Sequence, residues 1–119
     1  MARDLDACDL LCLDLPKAER VRKGLPSVAN LEPLAVGAKA LGDPTRLAVA
    51  LALEAGGPAC VCDLGWIVEH DERLVSHHLR LLRSAGLARS ERDGKMVMYE
   101  LTERGRALLA AVTAQGIAA

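Results

Sequence analysis

Val61-Cys62-Asp63-Leu64-Gly65-Trp66-Ile67-Val68-Glu69-His70-Asp71-Glu72-Arg73-Leu74-Val75-Ser76-His77-His78-Leu79-Arg80-Leu81-Leu82-Arg83-Ser84-Ala85-Gly86 is the stretch on which the fold turns. Val61, Leu64, Ile67 and Val68 recur at helical spacing and predict a short helix. His70 and Asp71 follow as a turn, with Asp71 placed to cap the next helix. That second helix is expected to bury Leu74, Val75, His78, Leu79 and Leu82. Arg73, Ser76, His77, Arg80 and Ser84 then point outward, giving a face that is polar, cationic and free of bulky apolar groups. Gly86 supplies its C-terminal stop.

Beyond Gly86, Leu87 to Glu91 and Met96 to Leu101 flank Arg92-Asp93-Gly94-Lys95, whose Asp-Gly centre favours a tight hairpin turn. Helix, turn, helix, glycine and basic hairpin in this order describe a mainly α (α+β) chain of the winged helix-turn-helix type. In such a unit the second helix enters the major groove, and the hairpin reaches phosphates or the minor groove. Arg73, Ser76 and His77 are the candidates for base edges, and Arg80, Arg92 and Lys95 the candidates for phosphates. Periodicity alone leaves open a three-helix core with a hairpin that binds no nucleic acid.

Upstream, Asp43-Pro44 is an N-cap and first-turn pair, and Leu47 to Leu53 is apolar on all sides, which predicts a buried central helix. Leu31, Leu34, Ala35, Ala38 and Leu41 predict another helix, with Pro33 in its first turn and Gly42 at its end. Pro16, Gly24 and Pro26 punctuate a connecting segment. Before it, Leu5, Cys8, Cys12 and Leu15 share one stripe of a short N-terminal helix. At the other end, Thr102 is placed to cap a last helix carrying Leu108, Leu109, Ala111 and Val112, whose weak amphipathicity suits packing against a second subunit, together with the Leu31 to Leu41 helix.

The chain has 119 residues, 51% of them hydrophobic, yet Trp66 and Tyr99 are its only aromatics. The core must therefore be built from Leu, Val and Ala, and a chain this short gains from burying apolar surface in a dimer. The formal net charge is −1, but its distribution is uneven. Residues 1–72 carry 7 Lys and Arg against 12 Asp and Glu, and residues 73–119 carry 8 against 4. A basic C-terminal half fits a domain that meets phosphates on one face, and a solvated basic surface fits the same counts. No run of about 18 apolar residues and no signal core is present, so a cytoplasmic protein without a membrane partner is expected.

All four cysteines fall into two couplets, Cys8-x3-Cys12 and Cys60-x-Cys62. In a reducing compartment that pattern points to metal binding or redox sensing rather than structural disulfides. Cys8 and Cys12, at i and i+4 on a helix, can reach one ion. Cys60 and Cys62 can do so only near a helix start, where the positive end of the helix dipole should favour thiolate. Thiolates suit soft or borderline cations: cadmium or lead, with zinc and bismuth in the candidate set. Cys12 is expected to be dispensable for lead, which often takes fewer than four ligands. His77 and His78 diverge by about 100° on a helix and cannot both face one ion; His78 reads as a core histidine.

Leu41-Gly42-Asp43-Pro44-Thr45-Arg46-Leu47, Cys60-Val61-Cys62-Asp63-Leu64, Val75-Ser76-His77-His78-Leu79 and Leu82-Arg83-Ser84-Ala85-Gly86-Leu87 together resemble the ArsR/SmtB family of metal-responsive repressors. The resemblance is strongest to its cadmium- and lead-responsive CadC type and spans about residues 8–112. It implies one domain over residues 1–119, with a metal-binding arm at 1–25 and a reading head and wing at 60–101. It further implies a homodimer that holds operator DNA without metal and leaves it when metal binds. Cys8 and Cys12 of one subunit would meet Cys60 and Cys62 of the other. A second metal site on C-terminal helices, present in several members, is not expected here: the last histidine is His78, and residues 102–119 offer only Glu103 as a carboxylate.

Two rivals stay open: a redox-sensing repressor whose cysteines form disulfides, and a cytosolic metal-buffering protein that no longer binds DNA. Neither an enzyme nor a small-molecule substrate is expected, because no nucleophile, base and oxyanion donor fall at an interpretable spacing.

Overall fold

Asp43, Asp71 and Thr102 each accept a hydrogen bond from the backbone N–H three residues on, and these caps start three of the helices from which the fold is built. A computed structural model describes residues 14–114 and 116. Its elements are α1 (Leu15–Gly24), α2 (Val28–Ala40), α3 (Pro44–Gly56), β1 (Ala59–Cys60), α4 (Val61–Val68), α5 (Glu72–Ser84), β2 (Ala88–Asp93), β3 (Met96–Leu101) and α6 (Glu103–Thr113). They form two compact units that divide between Leu31 and Glu32, inside α2.

In the first unit, α1 replaces most of the connecting segment expected around Pro16 and Gly24. Asp14 accepts from the Lys17 N–H at 2.8 Å, and Pro16 falls in the first turn, where its missing N–H costs nothing. The cap grammar that was legible at Asp43-Pro44 thus operates here as well. α2 also begins earlier than expected, at Val28, because Ser27 Oγ accepts from the Asn30 N–H at 3.2 Å. Pro33 therefore lies inside α2 rather than in its first turn. The expected Leu5 to Leu15 helix lies outside the described residues up to residue 13, and α1 begins at Leu15.

In the second unit, α3, α4 and α5 pack on one another and on the core face of the sheet. Val49, Leu64, Val75, Leu79, Leu82 and Leu87 are fully buried there. Each such side chain contributes about 1.5–3 kcal/mol relative to exposure. Tyr99 is the buried aromatic of this core, whereas Trp66 is 84% exposed. α3 is less enclosed than its all-round apolar sequence suggested: Val49, Ala50 and Leu53 are buried, while Leu47 and Leu51 are half-buried. Leu74, expected inside, is exposed, as is Ile67.

The three-stranded antiparallel sheet has the order β1-β3-β2. β1, two residues long, is too short to show a period in sequence and was not anticipated; it sets Ala59 opposite Tyr99 and Cys60 opposite Met98. In the β2–β3 hairpin, Asp93 pairs with Met96, so the loop is Gly94-Lys95 rather than a turn centred on Asp93-Gly94. A positive φ of 64° at Gly94, with none at Lys95, is the type II′ arrangement that matches strand twist.

α5 ends in paired bonds from Gly86 N–H to Arg83 O and from Leu87 N–H to Leu82 O, a Schellman closure. Thr102 then donates to Gly86 O at 2.7 Å while its Oγ1 accepts from Gly105 N–H at 3.0 Å. One hydroxyl therefore ties the end of α5 to the start of α6.

Candidate nucleic-acid interface and thiol pair

α5 presents its polar face as the periodicity predicts. Val75, His78, Leu79 and Leu82 are buried, while Arg73, His77 and Arg80 are exposed and Ser76 is half-buried. Arg73, Ser76 and Arg80 line one open concavity of about 500 Å³ with Val61 and Glu72. Arg80 Nη1 donates to Ser76 Oγ at 2.9 Å, so these two side chains hold each other one helical turn apart. Arg92, at the end of β2, and Lys95, in the hairpin loop, are both exposed. Charged side chains on a helix face and at a hairpin tip are placed to meet phosphates without desolvating the core.

Contacts made by three residues, Arg83, Arg46 and Cys62, escaped sequence reasoning. Arg83 Nη1 donates to Ser90 Oγ at 2.9 Å, and its guanidinium carbon stands 5.9 Å from the centre of the Tyr99 ring, so Arg83 braces α5 against the hairpin. Arg46 donates through Nε to Ala40 O at 2.5 Å and through Nη1 to His78 Nδ1 at 3.2 Å. It thereby bolts the end of α2 to the buried side of α5. Because a guanidinium only donates, Nδ1 of His78 is an acceptor and the neutral ring carries its proton on Nε2. Burial holds the His78 pKa below its ordinary value, with Arg46, His77 and His70 adding to the effect and Asp43 opposing it. At 4.0 Å, Asp43 Oδ2 is too far from Nε2 for a hydrogen bond. His78 is thus the core histidine its sequence position suggested.

The third missed contact joins the thiols to the reading helix. Cys60 is buried and caps α4 without a side-chain hydrogen bond, whereas Cys62, in the first turn, is exposed. Its Sγ donates to Glu72 Oε1 at 3.6 Å, and Glu72 is the first residue of α5. The sequence suggested that the helix dipole would favour thiolate here. Instead the Cys62 pKa is raised, first by the Glu72 charge, then by desolvation and by the hydrogen bond to Glu72, with Cys60 adding to it. Cys8 and Cys12 lie outside the described residues. Among the described residues, no group of three or more His, Cys, Asp or Glu is arranged to hold a metal ion.

A capped helix, a three-residue turn, a second helix with a cationic outer face and a basic hairpin define a DNA-binding winged helix-turn-helix protein. The sequence profile described as "Bacterial regulatory protein, arsR family" matches residues 43–90, from the α3 cap into β2. A cadmium resistance transcriptional regulatory protein CadC homolog from Staphylococcus aureus is 38% identical over 100 residues, spanning 82% of this chain and 80% of the relative. A transcriptional repressor SmtB homolog from Synechocystis is 35% identical over 100 residues, 84% of this chain and 75% of its own. Among solved structures, the homodimeric winged helix-turn-helix DNA-binding domain of a possible ArsR-family regulator from Mycobacterium bovis superposes with a TM-score of 0.69 at 27% identity, covering 77% of this chain and 87% of that one. The chain belongs to the ArsR family of bacterial transcriptional regulators, which confirms the resemblance drawn from its motifs.

Proposed function

We propose that this protein is a metal-responsive repressor, which binds operator DNA as a homodimer and releases it when a soft metal ion occupies a thiolate site of Cys8, Cys12, Cys60 and Cys62. The observation that carries the proposal is the hydrogen bond from Cys62 to Glu72, which places a thiol in contact with the first residue of the reading helix. The names of the CadC and SmtB relatives support it.

The donor set fits a soft ion. Two thiols stand two residues apart at the start of α4, and a tetrahedral ion needs two more ligands, which the couplet Cys8 and Cys12 provides in number and chemistry. Cadmium or lead heads the candidate inducers, with zinc and bismuth behind them; the ion, when bound, supplies the positive charge that keeps the thiols deprotonated. In the dimer, residues 1–25 of one subunit act as the arm that brings Cys8 and Cys12 to Cys60 and Cys62 of the partner subunit. Residues 60–101 act as reading head and wing, with Arg73, Ser76 and His77 at base edges and Arg80, Arg92 and Lys95 at phosphates.

The link between the two activities runs through Cys62. Once its proton is lost, Sγ no longer donates to Glu72, and the bond that joins the first turns of α4 and α5 is gone. Half-sites are read about 34 Å apart, so a small change in how the two reading helices are held loses contacts on both sides. A coupling of about 3 kcal/mol changes affinity by about 150-fold.

The test is DNA binding titrated with cadmium, lead and zinc under reducing conditions, followed by mixing Cys8→Ser protein with Cys60→Ser protein. A heterodimer keeps one intact shared site and is expected to respond to cadmium. Heterodimers blind to metal beside a responsive wild type would show that the ligands come from one chain. DNA release on oxidation without metal would instead favour a redox sensor.

A further inference from the structure

β1 holds Cys60 directly opposite Met98 of β3. Residues paired across two antiparallel strands project to the same face of the sheet, with Cβ atoms about 5 Å apart. Tyr99 and Leu101 face the core, and Met98, which alternates with them, is half-buried on the other face. The Met98 thioether therefore shares its face with the Cys60 thiol. Cys62 follows Cys60 by two residues, in the first turn of α4. Met98 also lines, with Pro58, Glu91 and Glu100, an open cleft of about 270 Å³, so the face is reached from solvent.

Three sulfur-bearing side chains of the Glu32–Ala119 unit thus belong to one local arrangement: Met98 opposite Cys60, and Cys62 two residues on. A thioether is a soft donor that carries neither charge nor proton. It adds little for zinc or cadmium, whose sites are built from thiolate, imidazole and carboxylate, but thiolate with thioether is a donor set that selects Cu(I). Two thiolates already more than neutralise a monovalent ion, so its third donor can be an uncharged thioether, and the nearby Glu72 carboxylate adds to the negative potential that draws a cation.

We propose that Cys60, Cys62 and Met98 form a three-sulfur site for a soft monovalent cation of the Cu(I) and Ag(I) class, complete within one subunit. The site rests on the reading of Cys60 and Cys62 as metal ligands, and it differs from the four-thiolate site in needing neither Cys8 nor Cys12. On binding, the two thiols give their protons to the buffer and the thioether donates a lone pair; no electron is transferred.

The experiment uses full-length Cys8→Ser/Cys12→Ser protein, titrated anaerobically with Cu(I) against a chromophoric Cu(I) chelator. One Cu(I) per subunit is expected, while the same protein has lost its cadmium response on DNA. Adding Met98→Leu, which keeps the volume and removes the sulfur, should weaken Cu(I) binding by about tenfold or more. In the otherwise wild-type chain, Met98→Leu should leave cadmium-driven DNA release unchanged. The Met98 methyl resonance should shift on Cu(I) addition, independently of any effect of the substitution on folding. Equal Cu(I) affinity with and without Met98, a methyl resonance that does not move, or no Cu(I) bound in the double-serine protein would each overturn the three-sulfur site. None of these outcomes bears on the four-thiolate reading, which stands or falls on the cadmium titration of the wild type.

Discussion

Cys62 Sγ and Glu72 Oε1 lie 3.6 Å apart, joining the first turn of α4 to the first residue of α5. The acceptor is a carboxylate, so the contact stabilises the thiol over the thiolate and raises the Cys62 pKa above the ordinary thiol value.

Replacing Glu72 with Gln should therefore lower the Cys62 pKa. In a Cys8→Ser/Cys12→Ser background, where Cys62 is exposed and Cys60 buried, alkylation at pH 8 should become several-fold faster. The pH profile of the alkylation rate measures it. An unchanged profile would mean that Glu72 does not control the thiol, and the route from thiol to reading helix would lose its first step.

On DNA, the two groups of exposed residues should separate by the kind of affinity lost. Lys95→Ala should weaken all sequences alike and reduce the salt slope of log K by about one, because a phosphate contact releases a counterion. His77→Ala should instead cost about 1–3 kcal/mol of discrimination at one base position. Fluorescence anisotropy at several salt concentrations, on specific and scrambled duplexes, tells them apart; identical behaviour of the two variants would remove His77 from the base-reading set.

His78 should make folding sensitive to mild acid. Its folded-state pKa lies below the ordinary histidine value because it is buried beside Arg46. The unfolded chain then binds the proton more readily, so stability is full above about pH 6.5 and is lost as pH falls through the folded pKa. Thermal unfolding midpoints should drop between pH 6.5 and 5, and His78→Gln should flatten that part of the profile. Asp43, whose pKa is lowered chiefly by the Arg46 backbone N–H, adds a loss only further down, below about pH 4. A wild-type profile level from pH 7 to 5 would contradict the neutral-histidine assignment.

Gly105 packs α6 against the Leu87 carbonyl so closely that a Cβ would collide with the oxygen. Gly105→Ala should cost about 2–4 kcal/mol, through displacement of α6 rather than through helix propensity, which alone would favour Ala. Chemical denaturation measures the loss, and an alanine variant as stable as wild type would mean that α6 can shift freely.

What the sequence by itself determined is local. Asp43, Asp71 and Thr102 announce their helices because a cap is a contact between a side chain and a backbone N–H three residues on. The outward stripe of Arg73, Ser76, His77 and Arg80 follows from the 3.6-residue period, and Gly94 marks the hairpin because its loop needs a positive φ. The Cys60-x-Cys62 couplet was equally visible, since it is written in residue type and spacing. Even some local grammar was passed over: Asp14 before Pro16 caps α1 where prolines suggested a mere connection.

Only the tertiary structure decided which distant groups meet. Arg46 finds His78 across 32 residues, Cys62 finds Glu72 across 10, and Cys60 pairs with Met98 through a strand of two residues. No period or spacing encodes these contacts, because each depends on how α3, α4, α5 and the sheet pack. That packing is set by burying Val49, Leu64, Val75 and Leu79 together. It sums many small apolar contacts and leaves no signature at any single position.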